Sequence, residues 1–273
     1  MSRSRAHARP RPELFAGRHD VDSGTAELIP DRDDPGGWSV LVNGAPSSYI
    51  HLDDPTRLDY EYMQWTGCVL DALGQPGQPV DAVHLGGAGC TLARYLAATR
   101  PGSRQTVFEV DAALVTLMRQ AFGLRAVPGL RIRTADGLEG LGVMPPGGAD
   151  VVVRDAFDGE QVPRHQTTVT FHREVDRVLN DGGTYVGNVA DTADVRESRV
   201  EAAAASEVFE HVALIAEPAQ LRGRRYGNVV LVASQQPLPE DHLVRKLAGG
   251  AVRARYVPPG KVADLISGVA PRL

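Results

Sequence analysis

The chain has 273 residues, 42% hydrophobic and 23% charged, with a formal net charge of −5, a balance that describes an ordinary globular protein and supplies no overall field for nucleic acid. Two cysteines, Cys68 and Cys90, are too few for a disulfide framework and show no metal-ligand spacing. No apolar run is long enough for a bilayer and the basic N-terminus lacks the apolar stretch of a secretory signal, so a cytoplasmic protein is expected, with no metal, membrane or nucleic-acid partner.

Residues 1–12 are rich in Arg, Ser and Pro and predict a disordered tail. Residues 13–56 predict a small β-unit. Strands are expected at 26–30, 38–42 and 48–52, with the Asn43-Gly44 pair closing a hairpin. A lone hairpin is marginal in water, so this unit is expected to pack on a partner or over a ligand site. Residues 57–273 predict one larger domain. It opens with a helix over 57–73, in which Leu58, Tyr62, Trp65, Val69 and Leu73 keep helical spacing.

From Val80 the pattern alternates strand and helix. The first strand runs into a turn made by Gly86, Gly87, Ala88 and Gly89. Glycines there let the backbone approach a bound group, and the N–H groups of the following helix point into the same space. A second strand, 106–111, ends in Glu109 and Asp111. An acid at that place holds both hydroxyls of a ribose, so the unit reads as half of a nucleoside-binding α/β sheet. Further strands are expected at 130–134, 149–155 and 184–189, with helices over 168–179 and 195–208 between and after the last two. Repeated βα units imply a mostly parallel, Rossmann-like sheet. The last strands, 211–216 and 228–234, follow one another without a predicted helix and must pair antiparallel or belong to different sheets. A parallel sheet with a terminal antiparallel hairpin resembles the class I S-adenosylmethionine-dependent transferases. Two short helices are expected around 242–247 and 262–266.

Chemistry concentrates at strand ends. Asp155 and Asp158 follow the fourth strand of the α/β unit, on the edge where open sheets bind ligands. Two carboxylates so spaced can converge on one cation, one taking a proton from an attacking amine while the other anchors a distant ammonium. The competing reading is a turn in which both bond nearby backbone N–H groups. Glu109 is the candidate for the ribose, and Asp111 reads as a helix cap. Asp136 ends the third strand, where it either accepts from an adenine amino group, with Ala135 or Gly137 adding backbone contacts, or sits in a solvated turn. Tyr60 and Tyr62 are candidates for a substrate channel. His84 reads as a core residue, His165 as a surface residue, Cys90 as a small buried residue, and Arg222, Arg224 and Arg225 as a basic loop tip.

These stretches together resemble the spermidine synthase (polyamine aminopropyltransferase) family. The run Leu85, Gly86, Gly87, Ala88, Gly89 matches its glycine loop. Phe108, Glu109, Val110, Asp111 matches its strand-end acid motif, and Ala135, Asp136, Gly137 its adenine-contact position. Asp155, Ala156, Phe157, Asp158 matches its paired aspartates. The resemblance implies Asp155 as general base, Asp158 as amine binder, Glu109 on the ribose and Asp136 on the adenine. It implies decarboxylated S-adenosylmethionine or S-adenosylmethionine as donor, a small-molecule amine as acceptor, and a homodimer in which the N-terminal strands help form the contact. Several motif positions depart from the family. Gly89 stands where an aspartate is usual, Tyr62 where a glutamate is, Thr66 where a histidine is, Ser47 where a glutamine is, and Gly159 where a proline is. Two further readings stay open beside aminopropyl transfer. One is methyl transfer from intact S-adenosylmethionine, for which an uncharged Gly89 leaves a place for the donor's carboxylate. The other is a non-catalytic binding or scaffold protein that keeps the fold. A dehydrogenase fits poorly, because 87–92 lacks the last glycine of the dinucleotide fingerprint.

Overall fold

The structure is a computed structural model and describes residues 10–87, 89–250 and 253–273. Most of the predicted tail lies outside the described residues. Its end is corrected: Pro12 is buried and opens a 3-10 turn, Pro12–Phe15, and Pro10 before it lies against Gly123 at the end of a later helix.

Four antiparallel strands follow in simple meander order: β1 (Gly17–Val21), β2 (Gly24–Pro30), β3 (Gly37–Val42) and β4 (Ala45–His51). The β3–β4 turn has positive φ at both Asn43 (50°) and Gly44 (81°), the conformation that suits the twist of a two-residue hairpin. Asn43 also locks the previous turn, accepting from the Thr25 N–H at 2.9 Å and donating to the Ser23 carbonyl at 2.9 Å.

The helix expected over 57–73 is α1 (Glu61–Asp71). It starts later because the Asp54 side chain holds Thr56 in a local turn and Gln64 donates back to the Leu58 carbonyl at 2.9 Å, fixing an extended entry. The α/β part then runs β5 (Asp81–Gly86), α2 (Thr91–Thr99), β6 (Arg104–Glu109), α3 (Ala112–Phe122), β7 (Leu130–Thr134), α4 (Gly137–Gly142), β8 (Ala149–Asp155), α5 (Val169–Val178), β9 (Leu179–Asp191), α6 (Arg196–Ser206), β10 (His211–Ala216), α7 (Pro218–Leu221), β11 (Gly227–Ser234), α8 (Glu240–Ala248), β12 (Arg255–Val257) and α9 (Pro259–Ile266).

These eight strands form one sheet in the order β12-β10-β11-β9-β8-β5-β6-β7. The run from β7 to β9 is parallel, and β11 pairs antiparallel with both β9 and β10. The predicted hairpin is therefore present, with its second strand inserted inside its first. The one-turn α7 fits within the hairpin loop and leaves the pairing unchanged. Strand β12 was not foreseen; three residues at a sheet edge carry too little pattern to read.

Alternation along the strands divides the core. Val83, Leu85 and Val152 face α4, α5 and α6, whereas Ala82, Val151 and Val153 face α1, α2 and α8. The N-terminal strands share a core with α2 and α3: Leu28, Trp38 and Ile50 pack with Ala93, Leu117 and Phe122. The Trp38 and Phe122 rings meet edge-on with centroids 6.3 Å apart. The order of strands reverses between β5 and β8, since β6 lies on one side of β5 and β8 on the other. Open sheets bind ligands at such a switch point, outside the carboxyl ends.

Candidate active site

Gly86 and Asp155 are register partners at the ends of β5 and β8, so the glycine turn and the first aspartate of the pair emerge side by side. Gly86 has φ +78°, and a Cβ there would lie 2.6 Å from the Asp155 carbonyl oxygen. Only glycine lets the two loops pass this closely. Gly87 has φ +115°, and a Cβ there would meet nothing within 4 Å, so its backbone faces open space. Ala88 lies outside the described residues.

Asp155 is half-buried and held at both oxygens. The Tyr62 hydroxyl donates to Oδ2 at 3.1 Å, and the Asn188 amide donates to Oδ1 at 2.9 Å. Burial raises its pKa above the ordinary carboxylate value; the two hydrogen bonds and the Arg154 guanidinium oppose that rise. Arg154 points to the other face of β8, fully buried. There its Nη2 donates to Glu201 at 2.7 Å and its Nε to the Tyr185 hydroxyl at 2.8 Å. Tyr62 is buried in α1, and Tyr60 stacks against it with ring centroids 6.2 Å apart. Burial and the neighbouring carboxylate hold the Tyr62 phenol well above its ordinary pKa, so it stays a donor. Asp158 is exposed in the following loop, where its backbone pairs with Gln161. Among the described residues no hydrogen bond joins its carboxylate to Asp155 or to the partners of Asp155.

The other strand-end acids line the same edge. Glu109 is half-buried at the end of β6, accepts the Asp111 N–H at 3.2 Å and the Val110 N–H, and has its pKa raised by burial. Val110 beside it is exposed. Asp111 caps α3, accepting from the Leu114 N–H at 2.7 Å, and also holds Ser23 of the β1–β2 turn at 2.8 Å and 2.6 Å. Asp136 caps α4, whose first residue is Gly137, through the Leu138 N–H at 2.8 Å. Its other oxygen lies 2.9 Å from His165 Nε2 and accepts from Gln166 at 3.1 Å. Burial acts against its charge, but these partners win and lower its pKa.

Residues that sequence reasoning missed complete the site. Asn188 left one trace, a polar residue inside the otherwise apolar run of β9. Ser48 left none. Its hydroxyl accepts the Gly89 N–H at 3.1 Å, and a Cβ on Gly89 would lie 2.7 Å from the Ser48 Cβ and 2.8 Å from the Ile50 Cδ1. Strand β4 therefore fills the space into which a side chain at 89 would project. Thr91 and Arg94 of α2 fix the strand further, donating to the Tyr49 carbonyl at 3.0 Å and the His51 carbonyl at 2.9 Å. Ser47 faces away and donates to the Ala45 carbonyl.

Two residues read as structural are structural here. His84 is buried, with Nε2 2.9 Å from Gln105 Oε1 and its pKa pulled down by burial to about 4. Cys90 is buried with φ +53°, and burial pushes its thiol up to about 12. Among the described residues no three His, Cys, Asp or Glu side chains are grouped to hold a metal ion, and no helix is long and apolar enough to cross a membrane.

No family model matches the chain. A probable spermidine synthase from Corynebacterium glutamicum is 38% identical, superposes with a TM-score of 0.88, and is matched over 94% of this chain and 95% of that one. The chain belongs to the spermidine synthase family. A polyamine aminopropyltransferase of Neisseria meningitidis is 29% identical over 212 residues, 76% of this chain and 75% of the relative. A spermidine synthase solved with the transition-state analogue AdoDATO shares the fold at 15% identity and TM-score 0.63, over 90% of this chain and 83% of its own. The spermidine synthase resemblance read from the motifs is thus borne out, together with the α/β fold and its N-terminal antiparallel sheet.

Proposed function

We propose that this protein is an aminopropyltransferase, moving the aminopropyl group of a decarboxylated sulfonium nucleoside to a small amine. The observation that carries the reading is Asp155, a carboxylate held by two donors at the sheet's switch point, in register with the glycine turn. An acceptor alkylammonium has a pKa of about 10.4 and cannot attack until it loses a proton. Asp155 takes that proton. The freed nitrogen lone pair forms a bond to the carbon beside the sulfonium, the carbon–sulfur bond breaks, and its electron pair stays on sulfur as neutral methylthioadenosine. Positioning supplies much of the rate.

In this assignment Gly86, Gly87, Ala88 and Gly89 border the donor, Glu109 and Val110 take the ribose, and Asp136 and Gly137 the adenine end. Tyr60, Tyr62 and Asp158 border the acceptor. Glu109 supports it by having acceptor capacity to spare. Asp136 supports it less directly, since His165 and Gln166 already occupy one oxygen. The named relatives are spermidine synthases and polyamine aminopropyltransferases, which does not favour methyl transfer.

The test is a paired product assay. Purified protein is incubated with mixed di- and polyamines, once with decarboxylated S-adenosylmethionine and once with S-adenosylmethionine, and analysed by mass spectrometry. Methylthioadenosine in the first tube, with an amine heavier by one aminopropyl group, is the expected result. S-adenosylhomocysteine in the second tube alone, or no product in either, rejects it. The reading also includes a cytoplasmic homodimer joined through the N-terminal strands, supported by exposed Ile29 in β2 and exposed Leu14 in the turn before β1. Light scattering that gives a monomer mass would remove the dimer.

A further inference from the structure

A cavity of about 300 Å³ lies apart from the residues assigned above, on the α6 and α9 side of the sheet. Its walls are apolar: Leu214, Val229 and Val257 come from β10, β11 and β12, Leu221 from α7 and Leu265 from α9. At about 30 Å³ per water-sized group, it has room for about ten. Ser198 of α6 lines it at 1% exposure, and its hydroxyl has no hydrogen-bond partner among the described residues. A buried serine on a helix commonly bonds back to a carbonyl one turn earlier. Leaving the hydroxyl unpartnered is costly, so such a group marks a place that an occupant completes. Val195, which opens α6 on the same wall, has φ +48°, a region that β-branched residues avoid.

The charges around the cavity are unbalanced. Arg199, Arg255 and Lys261 line it, with Asp264 as the acid among them, 3.2 Å from Lys261. Arg199 uses its Nε to donate to the Leu265 carbonyl at 2.8 Å. Arg255 is exposed and its side chain has no partner among the described residues. An apolar chamber of this size, an unpartnered hydroxyl and a surplus of cations together describe a receptor for an amphipathic anion.

We propose that this cavity binds an aliphatic monocarboxylate, its chain against the leucines and valines and its carboxylate met by the surplus cations and the Ser198 hydroxyl. The site is separate from aminopropyl transfer and needs no turnover to be observed.

The experiment is isothermal titration calorimetry of the full chain with sodium octanoate, octan-1-ol and octylammonium chloride as probes. Octanoate is expected to bind saturably at one site per chain. The alcohol and the amine are expected to bind at least about tenfold more weakly, since they lack the charge-assisted hydrogen bonds. Arg255→Glu, on the surface and safe for folding, is expected to weaken octanoate by about tenfold, and Ser198→Ala by a few fold. Leu221→Trp fills the chamber and should abolish binding; its thermal melt reports whether it has folded. Absence of saturable octanoate binding overturns the proposal. So does equal binding of the three probes, or octanoate binding unchanged by Arg255→Glu and Ser198→Ala.

Discussion

Asp155 is pulled two ways. Burial favours its neutral form, and Tyr62, Asn188 and Arg154 favour its charged form. Two expectations follow at this scale. Replacing Tyr62 by Phe removes one donor to the carboxylate, so the acid limb of the kcat/KM profile should move to higher pH by about one unit. An unmoved limb would mean that the phenol does not touch the catalytic ionisation. Asp155→Asn should lower kcat by about 10² to 10⁴, the usual worth of a positioned base. Its stability should move the other way. A carboxyl whose folded pKa is raised stabilises the fold at pH below its unfolded value, and that contribution is lost as pH rises through the folded value. At pH 7 the uncharged asparagine should therefore melt no lower than Asp155 does. A variant that melts well below the parent would show that the carboxylate is structural. Asp155 itself was legible in the sequence, because an acid just past an apolar strand can only emerge at the sheet's edge. Asn188 was not, since its partner is 33 positions away and the pairing exists only once β8 and β9 lie side by side.

Among the elements, β4 has the largest effect on the site. The glycine turn could be read from sequence, and so could the strand, but not that one closes the other. Their contact depends on how two sheets dock, and no periodicity encodes that. The packing makes Gly89→Asp a sharp probe. The new Cβ would collide with Ser48 and Ile50, so overpacking should cost about 1–3 kcal/mol in denaturant titrations and loosen nucleoside binding. Adding Ser48→Gly should recover part of both. Gly89→Asp with full stability would mean that β4 yields freely. Helix ends were the least legible feature. The start of α1 is set by Gln64 and Asp54, whose hydrogen bonds override the apolar spacing of the preceding turn.

Across the whole molecule, the four N-terminal strands and the eight-stranded sheet share buried surface through α2 and α3. The two tryptophans allow this to be measured, because Trp38 belongs to the core beneath the N-terminal strands and Trp65 to the core beneath α1. Trp65→Phe leaves fluorescence reporting the first region, and Trp38→Phe leaves it reporting the second. Each variant should show its fluorescence transition coinciding with its own far-ultraviolet circular dichroism transition, as in a single cooperative unit. A Trp38 signal that is lost at lower denaturant than the circular dichroism would make the N-terminal strands a separate domain. The strand-and-turn pattern suggested a small β-unit placed ahead of a larger domain, because residues that will share a core can lie far apart in the chain.

The fit of Ser48 and Ile50 against Gly89 also constrains descent. In a lineage carrying this packing, a single substitution that placed an acid in the glycine turn would arrive in space already filled and would cost stability. Giving up volume in strand β4 would relieve that cost. Sterics thus favour acquiring the two changes together or in the order strand first, so the uncharged turn is easier to keep than to replace.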